Sequence, residues 1–107
     1  MSRLIDKQHM HSLRLAKLII YADSLGYQIS GGDWTVGEDD KVHRPNSLHR
    51  LRLATDINLF RHGTYLVDTE SHRPLGEYWE TMGGAWGGNF KNNPDGNHYS
   101  TPYKGFK

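Results

Sequence analysis

In the first quarter of the chain the apolar residues Leu4, Ile5, Leu15, Leu18, Ile19, Ala22 and Leu25 recur at threes and fours, and then that period stops. The spacing predicts one long amphipathic helix over Ser2 to Leu25, with Gly26 at its C-terminal cap. A helix with an apolar stripe must be covered, and the rest of the chain offers only short segments to do it. Tyr27 to Ser30 alternate as a short strand ended by Gly31-Gly32. Leu51, Leu53, Ile57 and Leu59 alternate as one face of a second strand, and Arg61-His62-Gly63 supplies a hairpin turn into Thr64 to Val67. Leu75 to Met82 reads as a shorter helix, with Pro74 at its start and Gly83-Gly84 at its end. Two helices of unequal length on a small, mainly antiparallel sheet make an α+β fold. At 107 residues with no internal repeat or linker, the expectation is a single domain over residues 1–107.

Charge and composition remove several classes of function. A net charge of +1 gives no field that would recruit nucleic acid or anionic lipid. No apolar run reaches the length of a signal peptide or a membrane span, so the chain is expected to be made in the cytoplasm as a soluble monomer. The absence of cysteine excludes disulfides and restricts any metal site to nitrogen and oxygen ligands. Seven histidines are the one compositional oddity.

The histidines divide by context. His11 falls on the apolar stripe of the helix and His9 lies off it. The simplest role for His11 is a boundary residue bonded to a backbone carbonyl, with a ligand role as the alternative. His62 at the hairpin tip and His72 in the loop from Asp68 to Pro74 read as exposed. The polar stretch from Asp33 to Asn46 is a long surface loop that could rim a site. Its Glu38-Asp39-Asp40 run lacks the alternating oxygen ligands of a calcium loop and reads as a solvated face. Trp86 among Gly87 and Gly88 reads as a packing anchor under a wall of the site.

His49, Asp56 and His98 form a candidate metal set. Two imidazoles and one carboxylate are a sensible zinc set in a chain without thiols, since a catalytic zinc takes three protein ligands and keeps one position open. Asp95, three before His98, is placed to serve as the carboxylate that takes a proton from water and returns it to a leaving amine. Spacing alone leaves the plainer role of turn formers and caps open.

Ser47-x-His49 with Ala54 and Asp56, then Trp86-Gly87-Gly88 and Asp95-x-x-His98, resembles the zinc D,D-carboxypeptidase and L-alanyl-D-glutamate endopeptidase family, especially its small bacteriophage endolysin branch. The matching motifs run from Ser47 to Ser100, about half of the chain. The resemblance implies a D,D-peptidase/hedgehog-like fold whose sheet carries Zn2+ on His49, Asp56 and His98, with Asp95 as catalytic base and acid. It implies that Ser47 steadies the first ligand loop and that Tyr99 packs. The implied substrate is the stem peptide of bacterial peptidoglycan, reached after the membrane is permeabilised, and the implied activity is that of an L-alanyl-D-glutamate endopeptidase acting as a phage or prophage endolysin. A D,D-carboxypeptidase on the same site, or a non-catalytic zinc- or peptide-binding module, is the alternative. The chain departs from the pattern twice. Arg52 stands where the family has glycine, which implies a different backbone or an outward side chain. The arginine that members carry after the first strand is missing from Asp33-Trp34-Thr35-Val36, and Arg44 or Arg50 is the expected substitute.

Overall fold

A computed structural model describes residues 3–32, 34 and 47–107. Helix α1 spans Leu4–Ser24. Its first turn is closed by Asp6, whose carboxylate accepts the Arg3 backbone N–H at 3.2 Å. At its other end Gly26 turns left-handed at φ 87°, and Tyr27 N–H returns to Ala22 O at 3.0 Å, the hydrogen bond of a Schellman cap. The stripe buries Leu18 and Ala22 completely.

Five short strands form one antiparallel sheet: β1 Gln28–Gly31, β2 Ala54–Arg61, β3 Thr64–Leu66, β4 Ala85–Trp86 and β5 His98–Ser100. Their order is β1-β2-β5-β4, with β3 also paired to β2. Strands β2 and β3 are joined through His62 and Gly63, both at positive φ, as a two-residue primed turn requires. Helix α2, Arg73–Thr81, carries Pro74 in its first turn and follows a single 3-10 turn, Glu70–His72. The second apolar layer sits between the helices and the sheet: Leu18 and Ala22 meet Ile57, Leu59, Leu75, Trp79, Trp86 and Tyr99. Gly76 allows the closest contact in it, because a Cβ there would lie 2.0 Å from Trp86 Cδ2. No helix among the described residues is long and apolar enough to cross a membrane.

Two expectations change. The second strand begins at Ala54 rather than Leu51, because the chain from Ser47 first makes a helical turn: Arg50, Leu51 and Arg52 N–H groups bond to the carbonyls of Ser47, Leu48 and His49 at 3.1 Å each. His72 is buried at 2% exposure, its Nδ1 2.9 Å from the Tyr99 hydroxyl. Its solvent-exposed reading fails because the 3-10 turn delivers it under β5. In the tail, Thr101 is buried, Tyr103 and Phe106 pair their backbones, and Tyr103 packs on a small cluster of Leu48, Leu53 and Ala54. The loop from Asp33 to Asn46, its acidic run and Arg44 lie outside the described residues, apart from Trp34.

Candidate metal centre

Alternation along β2 decides which side chains meet. Thr55, Ile57 and Leu59 point into the core, so Asp56 points to the other face. In β5 the register places His98 directly opposite Asp56, on that same face. His49 arrives from the helical turn that precedes β2. That turn ends when Leu53 N–H reaches back to Leu48 O at 2.8 Å, with Arg52 left-handed at φ 58°. This is again a Schellman cap, and Arg52 occupies the position where glycine is favoured. Arg52 therefore takes the left-handed conformation that a glycine would adopt without strain, and its side chain is exposed. Ser47 holds the start of the same turn: its Oγ accepts the His49 backbone N–H at 3.3 Å.

The three side chains converge. His49 Nε2 is 3.4 Å, and His98 Nδ1 3.8 Å, from Asp56 Oδ1. One ligand atom from each of the three residues lies within 4.8 Å of the other two. Ligand atoms around a tetrahedral zinc stand roughly 3.3 Å apart, from metal–ligand distances of about 2 Å. Asp56 Oδ1 is buried without a hydrogen-bond partner among the described residues, although such an oxygen costs about 1–3 kcal/mol when unsatisfied. A cation among these three side chains would satisfy it. The donor set, the spacing and the orphaned oxygen fit zinc.

Backbone contacts hold the frame. The Asp56 carbonyl accepts Gly32 N–H and Trp34 Nε1–H, each at 2.9 Å, which ties the end of β1 beside the ligand strand. Phe90 lies against the His98 ring, centroids 5.4 Å apart. Asp95 reaches the site on a loop folded back over Gly87, with Asp95 N–H to Gly87 O at 2.9 Å and His98 N–H to Asp95 O at 3.2 Å. Gly87 is required there, because a Cβ would come within 2.1 Å of the Asp95 carbonyl oxygen. The Asp95 carboxyl is held above the usual carboxylate range, first by partial withdrawal from water and then by the Asp56 charge, with His49 opposing. Asp95 is exposed in that loop, three residues before His98.

The structure thus brings His49, Asp56 and His98 together, with Ser47 behind the first and Asp95 exposed in the loop that leads into His98. Trp86 has no exposed surface, so it does not touch substrate. It supports the loop from below, its indole N–H donating to Gly96 O at 2.7 Å. Arg50 is half-buried in the turn next to His49. Sequence reasoning missed the polar contacts of His11, which bonds to two threonine hydroxyls rather than to a backbone carbonyl. The signal was available in Thr55, a polar residue at a core-facing position of an otherwise apolar strand face.

Residues 40–101, more than half of the chain, match the family described as D-alanyl-D-alanine carboxypeptidase. No curated protein matches the chain in sequence. Among solved structures, the L-Ala D-Glu endopeptidase ChiX of Serratia marcescens superposes with a TM-score of 0.65 at 15% identity, covering 84% of this chain and 79% of that one. Likeness at that identity speaks for the fold.

Proposed function

The chain belongs to the D-alanyl-D-alanine carboxypeptidase family, and from that premise we propose that it is a zinc-dependent peptidase of peptidoglycan stem peptides, an L-alanyl-D-glutamate endopeptidase serving as a phage or prophage endolysin. The observation that carries the metal reading is the convergence of two imidazoles on a buried carboxylate oxygen that has no hydrogen-bond partner among the described residues. Zinc held by His49, Asp56 and His98 would supply a Lewis acid that polarises the scissile carbonyl and makes water acidic enough to attack near neutral pH.

The chain's own residues do the rest. Asp95 takes the proton of the attacking water at a carboxylate oxygen and delivers it to the nitrogen of the leaving amine. Its raised pKa suits both halves of that cycle, since a base that is too weak keeps no proton to return. Ser47 and the Schellman-capped turn orient His49, and the β2–β5 register orients Asp56 against His98. The fixed loop over Gly87 holds Asp95 and His98 at a constant separation.

The motif resemblance from Ser47 to Ser100 supports the endopeptidase, and the family description supports a D,D-carboxypeptidase as the second reading. Digesting purified peptidoglycan and identifying the new termini separates them. A new free amine on glutamate is expected. Released D-alanine would favour the carboxypeptidase, and intact peptides, with zinc bound, would leave a non-catalytic binding module. For the lytic role, turbidity of permeabilised Gram-negative cells should fall with the wild type and not with Asp95→Ala.

A further inference from the structure

The three ligand segments share a backing. On the core side of β2 and β5, helix α1 inserts His11, 4% exposed and edge-on to Trp79 with centroids 5.3 Å apart. His11 Nε2 is 2.8 Å from Thr55 Oγ1, and His11 Nδ1 is 2.9 Å from Thr101 Oγ1. Thr55 immediately precedes Asp56 in β2, and Thr101 immediately follows β5. One turn earlier on the same helix, Gln8 donates its side-chain N–H to Leu51 O at 2.8 Å, inside the turn that carries His49. Residues three apart on a helix share a face. One face of α1 therefore touches every backbone segment from which a ligand projects.

Arg14 extends the network. Arg14 can only donate, and its Nη1 gives a hydrogen bond to Thr101 Oγ1 at 3.2 Å while Nε gives one to Met82 O at 2.8 Å. Thr101 Oγ1 accepts from Arg14 and, with a second lone pair and its own proton, can pair with His11 Nδ1 in either tautomer, and the Thr55 hydroxyl can do the same at Nε2. Burial, with Arg14 beside it, keeps the ring neutral. The β2–β5 ladder that would otherwise hold the two strands is three registered pairs long, Ala54 with Ser100, Thr55 with Tyr99 and Asp56 with His98. A ladder so short leaves room for a side-chain tie to matter.

We propose that Gln8 and His11 are positioning residues, and that this face of α1 sets the spacing of the metal ligands. The proposal rests on the metal reading above. It is tested on metal-free protein by zinc affinity in competition with a chromophoric chelator, and by the d–d absorption of the cobalt(II) form. Loss of partners that orient ligands costs roughly 10–100-fold in metal affinity. Because these ties act one to three residues away from the ligands, His11→Gln and Gln8→Ala are each expected to weaken zinc about tenfold and to alter the cobalt spectrum. Tyr21→Ala is the control: it strips the stacked pair with Tyr78, 3.9 Å between centroids, ten residues along the helix from His11. It should lower stability without changing affinity or spectrum. Unchanged affinity and spectrum in folded His11→Gln would overturn the proposal. Should that variant fail to fold, Thr55→Val removes one hydroxyl at nearly constant shape, and unchanged affinity in both Thr55→Val and Gln8→Ala overturns it equally. Wild-type protein that binds neither zinc nor cobalt would defeat the metal reading itself, and with it this proposal.

Discussion

The two faces of β2 are built on opposite terms. On one, Ile57 and Leu59 are wholly buried against Leu18, Trp79 and Trp86, and the one polar member, Thr55, is bonded to His11. On the other, Asp56 presents an oxygen that is buried and, among the described residues, unsatisfied, with two imidazoles close by. The first face stabilises the fold by burying apolar surface, at about 25 cal/mol per Å². The second gives some of that stability up, since dehydrated polar groups that fold toward one another have an energetic cost until something binds them. Stability and chemistry are segregated by the pleat of one strand, one residue out of phase.

The largest effect should come from the chemical face. Asp95→Asn is expected to lower kcat by about 100- to 10,000-fold, the usual contribution of a positioned general base. Zinc affinity and thermal midpoint should stay near the wild-type values; a full-activity variant would remove Asp95 from the mechanism. A core-face change should do the reverse. Trp86→Ala is expected to cost about 3–5 kcal/mol in denaturant unfolding, because it empties the space between Gly76 and Gly88 and removes the donor to Gly96 O. If stability survives that change, the division between the faces is wrong.

Acid should act through the junction between them. Burial first, then Arg14, His98 and His49, lower the His11 pKa from 6.5 to about 4. The unfolded chain then takes up a proton before the folded one does, so the stability from keeping His11 neutral is present above pH 6.5 and lost as pH falls toward 4. The loss is about 3 kcal/mol at 1.36 kcal/mol per pKa unit. His72, also lowered by burial, adds in the same direction. Chelator-treated wild type should lose stability between pH 7 and 4.5 more steeply than His11→Gln, as read by urea midpoints; parallel slopes would contradict this. The smallest effect belongs to Arg52. Its left-handed backbone at φ 58° costs about 1 kcal/mol for a residue with a Cβ. Arg52→Gly relieves it while loosening the unfolded chain, for a net gain of about 0.5 kcal/mol or less in denaturant midpoint. A loss of stability would mean that the exposed arginine makes a contact of its own.

Arg52 also shows where pattern reading stops. From the sequence, an arginine in a glycine position implied an altered backbone or an outward side chain. Resolving that needed φ, which depends on the hydrogen bonds of Leu53 and Arg52 to residues earlier in the turn. His72 and His11 were misread for a related reason. Exposure and partner are set by which element packs above a residue, and the partners of His11 lie 44 and 90 residues away along the chain.

Local pattern was sufficient where the deciding interactions are local. The long helix, its glycine cap, the primed hairpin at His62-Gly63 and the proline-started second helix follow from periodicity and turn chemistry acting over a few residues. The candidate ligands could be named in advance because their motifs resemble those of a known metallopeptidase family; seven histidines and twelve acidic residues leave composition alone without a choice. Their convergence could not. It required the β2–β5 register that sets Asp56 opposite His98, the capped turn that aims His49, and the Gly87 loop that returns Asp95. Each of these joins residues far apart in the chain, and only the packed core holds them in place long enough to act as one site.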